Sequence, residues 1–161
     1  MIQEAILFGF LCSAIISVFI MLSFKREPRL WLHDFPKEMQ AVVPPKTDAE
    51  KRLGIIWFIP ITGSMFCLPL AVALWRHQVY DFTYLDAFVF ISIMMLIFNV
   101  VDLVILDWLI SVWWNPVWMR IEGTEEVVHY NSYWFHFKGF VIGLFILSIG
   151  AALISLLFIW L

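Results

Sequence analysis

The chain has 161 residues, 63% of them hydrophobic and 14% charged, with a mean hydropathy of +0.90 and a formal net charge of −3. A soluble domain is about 45–50% apolar and about 25% charged, so the composition is that of an integral membrane protein. No basic block is present to meet nucleic acid. Four spans of about 20 residues each, with their connectors, are predicted to leave no room for a separate soluble domain.

The chain opens Met1-Ile-Gln-Glu4 without a positive segment, and Lys25 and Arg26 follow the first apolar run. That run therefore reads as span one, residues 2–24, and not as a cleavable signal peptide. Bulky Phe10 and Leu11 ahead of Cys12 argue against a lipoprotein site. Cys12 and Cys67 each sit in an apolar run, with no CxxC. They are predicted to be buried free thiols, a bridge requiring that the first two helices touch at their level.

The first loop, residues 25–52, has its own organisation. Leu30-Trp31-Leu32 is expected against the membrane surface. Pro36 suits the first turn of a short helix over residues 37–43, which Pro44-Pro45 stops. Thr47-Asp-Ala-Glu50 is a capping box that starts the next helix one turn below the membrane.

Span two, residues 53–75, contains Pro60, Gly63 and Pro69. The prolines predict a packing bend or, more sharply, a broken helix whose freed backbone groups line a site; Thr62 and Ser64 are placed to satisfy those groups in either case. Span three, residues 87–109, carries Asn99 and Asp102 inside its apolar run. An ionisable group at bilayer depth costs about 2.5 kcal/mol or more, so it marks a functional site or a buried helix contact. At 100° per residue Asn99 and Asp102 stand about 60° apart and share a face, while Asp107 lies about 140° round from Asp102. Asp107 is expected to form an ion pair with Lys138 or Arg120 near the interface. Asp102 is predicted to be protonated, to coordinate a cation, or to be hydrogen-bonded by Asn99, Thr62 or Ser64.

The second loop, residues 110–136, holds Glu126, His129, Tyr133 and His136 at i, i+3, i+7 and i+10, one face if the segment is helical with Thr124 as its cap. With His33 from the first loop, Glu126, His129 and His136 are candidate metal ligands or acid–base groups, although the spacing fits no established metal motif. Interfacial histidines among aromatics are the plainer reading. All four histidines lie in loops or at helix ends, which argues against haem. Span four, residues 137–160, carries Gly139, Gly143 and Gly150, a small-residue face expected to pack on another helix, within the chain or between subunits.

Nine of the ten lysines and arginines fall in or beside the two long loops, and only Arg76 lies between spans two and three. The positive-inside rule then predicts cytoplasmic loops with both termini outside. Trp75 on one side, and Trp108, Trp113, Trp114, Trp118 and Trp134 on the other, suit interfacial belts.

The segments Trp31-Leu-His-Asp-Phe-Pro-Lys37, Val43-Pro-Pro-Lys-Thr47, Ile121-Glu-Gly-Thr-Glu-Glu126 and Phe135-His-Phe-Lys-Gly139 resemble an uncharacterised family of small four-span prokaryotic membrane proteins. The resemblance implies a bacterial or archaeal cytoplasmic membrane and carries over no activity. Membrane-bound glutathione transferases share the general plan, but their second-helix arginine, histidine and asparagine motif is missing. The sterol isomerase and sigma-2 receptor group shares intramembrane carboxylates among aromatics.

The sequence thus predicts an all-α, integral membrane four-helix bundle in one domain. Its leading functional reading is binding or transport of a small cation, proton or amphiphilic ligand through Asp102 with Asn99, Thr62 and Ser64. The alternatives are a membrane enzyme with a metal or acid–base site at the cytoplasmic interface, and an accessory subunit of a larger membrane complex. The bilayer is the certain partner, with a homo-oligomer or a larger membrane protein as the further ones.

Overall fold

Each long helix begins where the sequence supplies a cap and ends where it supplies a break. The computed structural model describes residues 1–124 and 132–161. Helix α1, Ile2–Arg26, stops two residues ahead of Pro28, with Lys25 and Arg26 in its last turn, where they favour the helix dipole. Helix α2, Lys37–Val42, is the short helix expected in the first loop. Helix α3, Asp48–Tyr80, opens on the predicted capping box: the Glu50 N–H donates to Thr47 Oγ1 at 3.2 Å and the Thr47 N–H to Glu50 Oε2 at 2.6 Å. It passes Pro60 and Pro69 as one continuous helix, so the broken-helix alternative is not realised.

Helix α4, Tyr84–Trp114, starts on a second capping box, Thr83 with Asp86. Helix α5, Tyr133–Ser155, is capped by Ser132, whose Oγ accepts from the Phe135 N–H at 3.2 Å, and runs on as a 3-10 turn, Leu156–Ile159. No strand occurs among the described residues. All four long helices are apolar and long enough to cross a bilayer. At 1.5 Å per residue the 33 residues of α3 reach about 50 Å, against a hydrocarbon core of about 30 Å, so α3 projects beyond the membrane.

The bundle is built around α4, which packs on α1, α3 and α5. Of its most apolar window 44% is buried, against 11% for α3, so α4 is the central helix. Its buried residues Ala87, Phe90, Ile91, Met94, Met95 and Phe98 recur at helical spacing. The outer faces of the other helices expose Leu7, Phe10, Ile55, Ile56, Phe145 and Ile149. An apolar surface of that extent belongs in lipid.

Two of the three span-four glycines work inside the chain. A side chain on Gly143 would stand 2.6 Å from Asn99 Oδ1, and one on Gly150 would collide with the Phe66 ring. Gly139 meets nothing within 4 Å, so the GxxxG pair is not one intramolecular contact.

The two long loops close one end of the bundle, the loop end. Trp31 stacks on Phe24 at 5.1 Å and donates its indole N–H to Ser23 Oγ at 2.9 Å. This folds the 3-10 turn Pro28–Asp34 back onto α1 and buries Leu30 and Leu32 in protein, not at the membrane surface as expected. Leu32 and Val43 of the first loop pack with Ile121 of the second. At the opposite, terminal end, Arg76 donates to both Glu4 carboxylate oxygens, at 2.9 and 2.7 Å, and lies 5.1 Å from the Trp75 and Tyr80 ring centroids. Both cysteines are free; Cys12 is buried, while Cys67 is exposed, contrary to the expectation for a buried thiol.

Gly150→Ala should lower bundle stability by about 1–3 kcal/mol, because the Phe66 ring must move, while Gly139→Ala should not destabilise it. Thermal unfolding of both variants in one detergent measures this, and equal shifts would contradict the assigned packing.

Candidate functional site

The loop-end half of α4 departs from the α-helix. From Asp102 to Trp114 the backbone is a π-helix, although the segment contains neither proline nor glycine. The step of five residues shows at its end: the Asn115 N–H donates to the Ile110 carbonyl at 2.8 Å, and Ser111 Oγ donates to the Leu106 carbonyl at 2.9 Å. Asn115, in the left-handed conformation (φ 42°), and Pro116 then end the helix.

The wider turn changes which side chains share a side. In an α-helix Asp102 and Asp107 stand about 140° apart. With i→i+5 hydrogen bonds there are about 4.4 residues per turn, and the two carboxylates come within about 50° of each other, one turn apart. Asp107, placed outside the Asp102 site by α-helical geometry, therefore belongs on its side of the helix.

Asp107 is met from α5. His136 Nδ1 lies 3.0 Å from Asp107 Oδ1, with both side chains largely shielded. The predicted Asp107–Lys138 pair is not formed; the Lys138 ammonium lies 5.6 Å from the Trp134 ring centroid. Register gives the reason. His136, Phe140 and Gly143 fall at i, i+4 and i+7, the face of α5 turned to α4, whereas Lys138 is about 160° round from His136. Trp108 closes this end by donating its indole N–H to the Tyr133 carbonyl at 3.3 Å.

Asn99 has a different task from the one expected. It is 5% exposed; its Nδ2 donates to the Phe140 carbonyl at 3.0 Å, and its carboxamide lies over Gly143. Asn99 is thus a helix-to-helix fastening. Thr62 and Ser64 are half-buried on α3. Phe66 is opposite Gly150, and α3 and α5 run in the same direction, so the level of Gly143 and Asn99 corresponds to Ile59. Thr62 and Ser64 lie above that level and Asp102 below it, so register does not bring these three together.

Asp102 is half-buried. Gly9 of α1 abuts Met94, and eight residues further along these parallel helices are Ser17 and Asp102. Ser17 Oγ at that depth is shut off from solvent and has no hydrogen-bond partner among the described residues.

The candidate metal ligands do not assemble among the described residues. His33 belongs to the 3-10 turn that packs on α1 and α3, with its Nδ1 3.1 Å from Lys46 Nζ. His136 is on the α4–α5 side, against Asp107. Glu126 and His129 lie outside the described residues. Thr124, expected as a helix cap, donates its hydroxyl back to the Ile121 carbonyl at 2.6 Å. No group of three or more histidine, cysteine, aspartate or glutamate side chains among the described residues is placed to hold a metal. No family model matches this chain, and no curated protein or solved structure matches it either.

Asn99→Ala should cost about 0.5–2 kcal/mol of stability, the worth of one interhelical hydrogen bond in a membrane protein. Unfolding in mixed micelles measures the loss, and an unchanged midpoint would remove Asn99 from the packing role.

Proposed function

We propose that this protein binds a small cation or passes a proton at an intramembrane carboxylate, Asp102, which Asp107 and His136 connect to the loop end of the bundle. The observation that carries the reading is the π-helical register, which sets both carboxylates on one side of α4, with His136 against the second. A carboxylate at this depth is costly as a bare ion, and a neighbouring group, a proton or a bound cation stabilises it. A second carboxylate one turn nearer the interface gives that proton or cation a next station. An imidazole, which both donates and accepts, gives it a third.

The lysine and arginine distribution supports loops on the cytoplasmic side of a prokaryotic inner membrane, with the row opening toward the cytoplasm. Beyond Asn99, which is used in packing, α4 toward the terminal end is apolar except for Ser92 until Asp86. Passage across the whole membrane therefore requires a second copy or a larger membrane partner, whereas binding does not.

The Asp107–His136 pair also supports a second reading, an acid–base site of an interfacial enzyme, because the carboxylate holds one ring nitrogen and orients the other. The two readings separate on Asp102, which the enzyme does not need.

In liposomes carrying an internal pH dye, and separately under imposed sodium or potassium gradients, Asp102→Asn should reduce flux by about tenfold or more. His136→Gln should slow it, and Lys138→Gln should leave it at the parent level. Parent-level flux in Asp102→Asn would overturn the proposal.

A further inference from the structure

At the foot of α3 the first loop and the helix part to leave a cleft of about 290 Å³. Its wall is apolar where Trp31, Ile55, Trp57 and Phe58 line it, and Lys46 and Lys51 stand at its mouth. The order along α3 is fixed by sequence. Lys51 comes in the first turn, Gly54 one turn later, and Trp57 and Phe58 a turn beyond that, toward the membrane interior. Positive charge followed by aliphatic and aromatic side chains is the order in which a phospholipid presents its headgroup and acyl chains.

The charges at the mouth favour an anion. Glu50, which lines the cleft, is already bound by the Arg29 guanidinium and by Thr47, so its charge is compensated. The Lys46 ammonium is held in place by the Leu30 carbonyl and by His33 Nδ1. Lys51 pairs with Asp48 at 2.9 Å, but both side chains are exposed, at 61% and 88%. A surface pair of this kind is worth little and yields readily to a phosphate.

Gly54 keeps the cleft open. A Cβ built there meets nothing within 4 Å, so the floor is free space and any side chain at this position would grow into it.

We infer that this cleft is a binding site for an anionic glycerophospholipid of the adjoining leaflet. The phosphate lies between Lys46 and Lys51, and the first part of one acyl chain passes over Gly54 along Trp57 and Phe58; the rest of the lipid stays in the bilayer. The site is on the α1–α3 side of the molecule, away from the row of Asp102, Asp107 and His136, and stands whether or not that row carries ions.

Native mass spectrometry of the protein in a mild detergent, titrated with equal amounts of phosphatidylglycerol and phosphatidylcholine, tests it. The parent should retain phosphatidylglycerol in preference. Lys51→Gln should weaken phosphatidylglycerol binding by about fivefold and leave phosphatidylcholine unchanged, since one lysine near an anionic lipid surface contributes that much. Gly54→Leu should abolish the preference and lower retention of both lipids without lowering thermal stability, since leucine replaces glycine in a helix with room around it. Equal retention of the two lipids by the parent, or parent-level phosphatidylglycerol binding in Gly54→Leu, would overturn the assignment.

Discussion

In hydrocarbon a polar side chain has no water to turn to, and the two that α4 turns toward α5, Asn99 and Asp107, are each met by a group of that helix. That constraint organises α4. Asn99 is met by a backbone carbonyl of α5, over a glycine that lets the carboxamide approach. Asp107 is met by His136, four residues before Phe140 on the same face of α5. Both contacts depend on one face of α5, and Gly143 and Gly150 keep that face thin enough for α4 and α3 to come close. The change to π geometry at Asp102 then decides which carboxylates stand together.

The molecule has two sides at its loop end. On one, the first loop folds over α1 and the foot of α3, with Trp31 as its anchor and the Thr47–Glu50 box fixing where α3 starts. On the other, α4 and α5 meet through Asp107, His136, Trp108 and Tyr133. Leu32, Val43 and Ile121 join the two loops across the middle. His33 and His136 fall on opposite sides of this division, which is why they do not build a common metal site.

The number and position of the helices were legible because twenty-residue apolar runs, prolines and capping boxes are local signals. The Thr83–Asp86 box and the Ser132 cap carry the same kind of signal and extend α4 and α5 beyond the apolar runs by several residues. The candidate site was legible in part. Asp102 and Asn99 stand out by chemistry, but the hydrogen bond from Asn99 to Phe140 depends on helix–helix register, to which no local pattern points. The preference of Asp107 for His136 over Lys138 was in principle readable from the i, i+4, i+7 face of α5. The π segment was not, since it contains no proline, glycine or charge run that marks the change. Helical wheels drawn at 100° per residue consequently separate two carboxylates that π geometry brings within about 50° of each other.

That alignment is the central claim, and metal bridging tests it most directly. In a background with Cys12 and Cys67 replaced by serine, Asp102→Cys and Asp107→Cys are introduced singly and together, and cadmium binding is measured in detergent. Thiolates one turn apart on the same side of a π-helix should chelate one cadmium ion far more tightly in the double variant than in either single variant. Equal affinity in all three would place the two positions on different sides of the helix and contradict the account.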